Sequence, residues 1–161
     1  MKLPENDYQI LQLTDSFYRA YPNPPHTELL RKQQRPYNCL LFQTHYEYFI
    51  CIPFRSEISH IYSFRFVKSK RSQKRKSGLD YTKIMIISNI EYLGTKDAVI
   101  DKDEFSEMRR CFERIKREAL EYVEDYIAYV SGIKKISTEE FKRRYEYSTL
   151  LYFHKELGIK N

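Results

Sequence analysis

The chain has 161 residues, a length that fits one compact domain over residues 1–161. Its 42% hydrophobic and 31% charged residues exclude a disordered or fibrous protein. An excess of 28 Lys and Arg over 22 Asp and Glu gives a net charge of +6, which favours a polyanionic partner such as nucleic acid. The 15 Tyr and 10 Phe suit either a half-buried sheet or a surface that stacks on bases.

Neither a membrane partner nor secretion is expected. No apolar stretch approaches the roughly 20 residues of a membrane-spanning helix, and residues 1–7 lack the apolar region of a signal peptide. Cys39, Cys51 and Cys111 lie in apolar segments without a Cys-x-x-Cys pair, so we expect them to be small core residues. These features predict a cytoplasmic protein.

The chain begins with a predicted strand and a short helix. Residues 8–13 have strand character, and Thr14 is positioned to cap a helix over residues 15–20. Pro22 prevents that helix from continuing.

A β-hairpin is predicted at the centre of the sheet. Residues 37–42 and 46–52 are aromatic and β-rich runs at hairpin spacing. We expect the second strand to end at Pro53, where the backbone loses a hydrogen-bond donor. Further strands are predicted over residues 61–67, 83–88 and 92–93.

The second half of the chain has helical periodicity. Apolar residues at steps of three and four predict one helix over residues 103–130, which Gly132 ends. A second helix starts at Ser137, and a last helical stretch covers residues 147–157. Strands followed by helices predict an α+β fold with an antiparallel sheet and a helical C-terminal half.

A basic segment separates two of the predicted strands. It has small polar residues between its charges and no apolar anchor, so we expect a mobile loop that binds a phosphate backbone with salt-dependent affinity. A solvated surface without a ligand accounts for the same charges. The six basic residues are Lys68, Lys70, Arg71, Lys74, Arg75 and Lys76.

No zinc, P-loop or dinucleotide motif is present, so neither a metal nor a cofactor is expected. Arg55, Ser56 and His60 follow a predicted buried strand. A cation, a hydroxyl and an imidazole together can activate a ribose 2′-hydroxyl and stabilise an in-line phosphorane. A Ser that caps a turn and a His that packs on the sheet explain the same residues. Arg35 precedes the hairpin and is either a further cation at that end of the sheet or an ordinary surface Arg.

Three stretches together resemble the toxins of type III toxin–antitoxin systems. They are Arg35-Pro36-Tyr37, Pro53-Phe54-Arg55-Ser56 with His60, and Gly78-Leu79-Asp80-Tyr81-Thr82-Lys83. The resemblance covers residues 8–130. It is strongest to the CptN and TenpN group and more distant to ToxN and AbiQ.

The resemblance implies a twisted antiparallel sheet or partial barrel, similar to the MazF and Kid toxins, packed by helices. It also implies a metal-independent endoribonuclease that leaves a 2′,3′-cyclic phosphate. A repeat-derived pseudoknot RNA would be both substrate and inhibitor, cellular RNAs would be further substrates, and toxin and RNA would form a closed hetero-oligomer.

The resemblance also suggests roles for individual residues. Ser56 falls on a Ser of ToxN-like toxins, and Arg35 falls where they carry a catalytic Lys. Arg55 occupies a position where ToxN has a Thr, so this chain departs from the family pattern there. Tyr18 matches an N-terminal active-site Tyr of the family, and Phe17 fits that position almost as well. We expect Ser56 to contact the scissile phosphate or its 2′-hydroxyl, the two arginines to stabilise charge, and His60 to move a proton.

The residues after the basic segment are the last candidates. Asp80, Tyr81, Thr82 and Lys83 are expected to line the RNA groove, although a turn residue and a flanking charge explain Asp80 and Lys83 as well. The competing hypothesis for the whole chain is a structured-RNA-binding protein without catalytic activity.

Overall fold

The computed structural model describes residues 8–31 and 37–160, and these form an α+β fold, as predicted. The strands are β1 (Gln9–Gln12), β2 (Asn38–Gln43), β3 (Phe49–Arg55), β4 (Ser63–Arg65), β5 (Gly78–Asp80) and β6 (Met85–Ile87). The α-helices are α1 (Asp15–Ala20), α2 (Lys70–Arg75), α3 (Lys102–Arg110), α4 (Phe112–Val130) and α5 (Thr138–Tyr145). Short 3-10 helices occupy Tyr81–Lys83, Ile90–Tyr92 and Thr149–Tyr152.

The sheet is antiparallel, as predicted, and β3 is its central strand. The strand order is β1-β2-β3-β5-β4, and β6 also pairs with β3. One edge of β3 pairs with β2, while the other edge pairs first with β6 and then with β5. The predicted hairpin is therefore at the centre of the sheet.

The expectation that β3 ends at Pro53 is wrong, because the strand continues to Arg55. On one edge, the partner of β3 changes from β6 at Cys51 to β5 at Phe54. Pro53 lies between these two partners, where a missing donor removes no ladder hydrogen bond on that edge. The extension places Arg55 at the end of a central strand.

Helix α4 presents the predicted apolar face to the core. Its buried residues include Ile115, Ala119 and Val123. The expected single helix over residues 103–130 is divided at Cys111, which ends α3 and precedes α4 with φ −104° and ψ 11°. Gly132 follows α4 with a φ of +77°, a value that favours glycine.

Several boundaries differ from the predictions. The stretch 147–157 forms only a short 3-10 helix followed by turns, and residues 92–93 contribute a single bridge, Leu93 to Leu13, instead of a strand.

Cys39 and Cys51 are buried, as expected, and Cys111 is half-buried. None of the helices in the described part of the chain has the length and apolar character needed to cross a membrane.

Gly78 offers a test of how closely the sheet is packed. An added Cβ would lie 2.3 Å from the backbone oxygen of Phe64 on the paired strand β4. We expect Gly78→Ala to lower the free energy of unfolding by about 2 kcal/mol or more, as overpacking does, measured by urea denaturation. Gly132→Ala is the comparison: its Cβ would meet nothing within 4 Å, so only the left-handed backbone would cost about 1 kcal/mol. An equal or smaller loss for Gly78→Ala would contradict the packing described here.

Candidate functional site

A cavity of about 340 Å³ lies where β1 and β3 end and β2 begins. Arg55 and Ser56 enter it from the end of β3, and Arg71 enters it from α2. The remaining lining residues are Gln12, Tyr37, Asn38, Phe54, Val99, Ile100, Asp101 and Glu104. The structure therefore brings two of the predicted catalytic residues together with one cation of the basic segment.

The loop after Ser56 is held in an unusual backbone conformation. Glu57 has a φ of +60°, in the left-handed region that non-glycine residues rarely adopt. The backbone N–H of Glu57 donates to the carbonyl of Arg75 at 2.7 Å, and that of Ile58 donates to the carbonyl of Lys76 at 3.1 Å. No group in the described ranges hydrogen-bonds the Ser56 hydroxyl, which leaves it available to a ligand.

A buried carboxylate positions Arg55 beside Ser56. Asp80 is fully buried, and its Oδ2 accepts a hydrogen bond from a terminal nitrogen of Arg55 at 2.9 Å. Its Oδ1 accepts from the backbone N–H of Thr82 at 2.9 Å and from the Thr82 hydroxyl at 2.6 Å. Burial by itself raises the pKa of Asp80, but the contacts with His60, Thr82 and Arg55 outweigh burial, so its pKa lies below the ordinary value.

The His60 imidazole contacts the same carboxylate, that of Asp80, and does not line the cavity. Its Nδ1 accepts a hydrogen bond from the backbone N–H of Tyr62 at 3.1 Å, so the ring proton is on Nε2. Nε2 is buried and lies 3.1 Å from Asp80 Oδ1. Both ring nitrogens therefore lie against protein groups.

The basic segment is an ordered helix, so the prediction of a mobile loop is wrong. Ser69 and Ser72 form a capping box at the start of α2, and both are buried. The spacing Ser69-Lys70-Arg71-Ser72 was the signal for this cap, with Ser in place of the more familiar Glu or Gln.

Two buried acids on α3 anchor this segment. Glu107 accepts hydrogen bonds from the backbone N–H groups of residues 67 and 68, both at 3.0 Å. Glu104 accepts from Arg71 at 2.6 Å and from the Ser77 hydroxyl at 2.7 Å. The sequence analysis did not single out these two acids. The available signal was their position beside Phe105 and Met108, on the apolar side of the predicted helix. An acid that is buried with such a face needs a cation or a hydrogen-bond donor as its partner, and the basic segment supplies both.

The other cations of the segment are exposed on and around α2. Arg75 lies 3.4 Å from Glu57. The exposed residues outside the cavity are Lys68, Lys70, Lys74, Arg75 and Lys76. They form a charged surface next to the cavity.

The four residues predicted to line the groove lie inside the protein. The Thr82 hydroxyl donates a hydrogen bond to the Asp80 carboxylate, and the Tyr81 hydroxyl donates to Glu118 at 2.9 Å. The Lys83 side chain is only 11% exposed and bonds Glu28 at 3.0 Å. As placed, these side chains support the fold instead of forming a surface.

The two remaining predicted site residues have separate outcomes. Arg35 lies outside the described residues. Tyr18 packs beneath the Arg31 guanidinium, 5.5 Å from the ring centroid, and burial raises the pKa of its phenol. Tyr18 does not line the cavity that contains Ser56.

No protein-family model matches the chain, and no curated protein or solved structure matches it either. The candidate site is therefore assigned from its geometry and chemistry. Across residues 8–31 and 37–160, no cluster of three or more His, Cys, Asp or Glu side chains could hold a metal ion.

Asp80→Asn tests the role of the buried carboxylate. The pKa of Asp80 is lowered by folding, so its charge stabilises the protein above the ordinary pKa of 3.8, and this contribution is lost as the pH falls through the folded pKa. We expect a loss of about 2 kcal/mol at pH 7, less than in a fully buried pair because Arg55 and His60 are 28% and 32% exposed. Urea denaturation from pH 7 to pH 3 should show this difference shrinking; a constant difference would contradict a charge effect.

Neutralising the exposed cations on and beside α2 tests whether this surface binds RNA. Replacing Lys70, Lys74 and Lys76 by Ala should reduce the slope of log affinity against log salt by about 2, since each contact to single-stranded RNA contributes about 0.7. The slope is measured by titrating a labelled RNA at several salt concentrations. A control variant neutralises three exposed lysines of the C-terminal third: Lys135, Lys142 and Lys155. Equal slopes for the two variants would show that α2 does not contact the RNA.

Proposed function

We propose that this protein is an endoribonuclease that cleaves RNA by metal-independent transesterification in the cavity that contains Ser56. One observation carries the proposal: Ser56, Arg55 and Arg71 line one cavity beside an exposed basic helix, and no group within residues 8–31 and 37–160 hydrogen-bonds the Ser56 hydroxyl. A phosphate diester needs cations at its non-bridging oxygens and a polyanion-binding surface around it.

In the proposed reaction the ribose 2′-oxygen attacks the adjacent phosphorus, and the bond to the 5′-oxygen of the next nucleotide breaks. The products are a 2′,3′-cyclic phosphate and a 5′-hydroxyl, with one proton leaving the 2′-oxygen and one reaching the 5′-oxygen. One terminal nitrogen of Arg55 pairs with the buried Asp80, and one terminal nitrogen of Arg71 pairs with the buried Glu104. Their other N–H groups remain to stabilise the charge that develops on the phosphorane.

Ser56 and His60 have different proposed roles. The Ser56 hydroxyl contacts the scissile phosphate or its 2′-hydroxyl. His60 lies outside the cavity lining with both ring nitrogens against protein groups. Its proposed role is therefore to hold Asp80, and through it Arg55, instead of moving the proton itself.

The resemblance to type III toxins extends this proposal. The protein would be the toxin of such a system, with a sheet similar to those of MazF and Kid. In the cytoplasm it would be inhibited by its repeat-derived pseudoknot RNA within a closed hetero-oligomer. The exposed cations of α2 support a partner of high negative charge.

Ser56→Ala tests the proposal. Protein freed of nucleic acid is incubated with labelled RNA in excess EDTA, and the 3′ ends of the products are analysed. We expect cyclic phosphate ends from the wild type and a loss of about 100-fold or more in rate for Ser56→Ala, with RNA binding largely preserved. Ser59→Ala is the matched control, because Ser59 is exposed in the same loop and does not line the cavity. Equal rates for both variants would overturn the assignment of Ser56.

A structured-RNA-binding protein without catalysis is the second candidate. It is favoured by the placement of His60, which leaves no imidazole among the residues lining the cavity. RNA that stays intact in the same assay but binds in a salt-sensitive manner would favour this function over cleavage.

A further inference from the structure

The side of the cavity formed by β1 and β2 differs in chemistry from the side that carries the arginines. Gln12 and Asn38 are directly opposed residues of β1 and β2. Tyr37, Phe54 and Ile100 add aromatic and aliphatic surface to the same lining. The cavity therefore combines cations and a hydroxyl with amides and apolar groups.

A chain of hydrogen bonds fixes the orientation of both amides. The carbonyl oxygen of Val99 can only accept, and it accepts from Asn38 Nδ2 at 3.2 Å. Asn38 must therefore turn its Oδ1 to Gln12, which donates from Nε2 at 2.8 Å. The identity of the oxygen and the nitrogen in each amide follows from this chain.

The amide of Gln12 retains hydrogen-bonding capacity. Its Oε1 and its second N–H have no other partner in the part of the chain that the structure describes. A held amide that offers one acceptor and one donor is the kind of group that reads the edge of a nucleobase. A rotation of the Gln12 amide by half a turn would exchange its donor and its acceptor, but it would break the hydrogen bond to Asn38.

The size of the cavity limits what can occupy it. About 340 Å³ is at the lower end of the roughly 300–1,000 Å³ of small-molecule sites. One nucleotide fits such a volume, whereas a base pair does not. Proteins read RNA sequence mainly on unpaired bases, which they stack on aromatic side chains and bond along their edges.

We propose that the amide and aromatic side of this cavity is a nucleobase subsite, in which Gln12 selects one unpaired base of an RNA whose phosphate lies at Arg55 and Arg71. The inference rests on the proposed function for its ligand class and adds a specificity-determining residue to it. Gln12 acts on recognition of the base, and the chemical step belongs to the other side of the cavity.

Binding of the four ribonucleoside 3′-monophosphates tests the subsite. Calorimetric titration of the full chain should show that one base binds about tenfold more tightly than the weakest, a difference of about 1.4 kcal/mol that one good base contact supplies. Gln12→Met keeps the length of the side chain and removes its donor and acceptor. It should bring the four affinities within about threefold, because the lost contact carries the discrimination.

Gln9→Met is the matched control. Gln9 lies on the same strand, bonds Asp97 at 3.0 Å and does not line this cavity. Its variant should keep the wild-type preference. If Gln12→Met does not fold, as judged by thermal unfolding, Gln12→Asn provides the test. It retains the amide but withdraws it by one carbon, and it should also reduce the preference.

The outcomes separate this inference from the proposed function. Equal binding of the four nucleotides by the wild type, or an unchanged preference in the Gln12 variant, would overturn the subsite even if RNA is cleaved at Ser56. A base preference that disappears in the Gln12 variant, from a protein that cleaves no RNA, would retain the subsite and remove the catalytic function.

Discussion

The arrangement of the site depends on one buried charge, the carboxylate of Asp80. An ionised carboxylate without water is stable only if hydrogen bonds and cations replace its solvation. Thr82 supplies two of those hydrogen bonds from the next turn of the chain, and Arg55 supplies the opposite charge from the neighbouring region of the sheet. The need to neutralise Asp80 therefore fixes Arg55, and Arg55 fixes one side of the cavity.

The change of partners along β3 determines what else reaches that cavity. Because β6 and β5 share one edge of β3, the strand can pass Pro53 and carry Ser56 beyond the last pair. The segment that follows then pairs with the end of α2 through residues 57 and 58. The basic helix is held against the same end of the sheet by Glu104 and Glu107, so exposed charge and the Ser56 hydroxyl become neighbours. Each arginine of the cavity is thus oriented by a buried acid while keeping further donors for an anion.

Local patterns predicted the elements well where one physical signal was dominant. The central hairpin, the apolar face of α4 and the end of that helix before Gly132 follow from alternation, helical period and glycine conformation. Prediction failed where two signals competed. The basic segment has the composition of a mobile loop, yet its capping serines and two distant acids make it a helix. The sequence pattern predicted Arg55 and Ser56 in a loop after the strand, whereas Arg55 is the last residue of β3, and no local pattern indicated that both share one cavity with Arg71.

The sequence by itself determined the fold class, the surplus of positive charge and the β-rich run that leads to Arg55 and Ser56, because period and composition can be read from neighbouring residues. Only the tertiary structure decided which charges are buried and paired. Asp80 and Lys83 resemble surface residues in the sequence, but contacts with Arg55 and with Glu28 place them inside. The amide chain from Val99 through Asn38 to Gln12 likewise joins residues up to 87 positions apart, counted from 12 to 99. Such pairing depends on the relative positions of whole strands and helices, which no local pattern encodes.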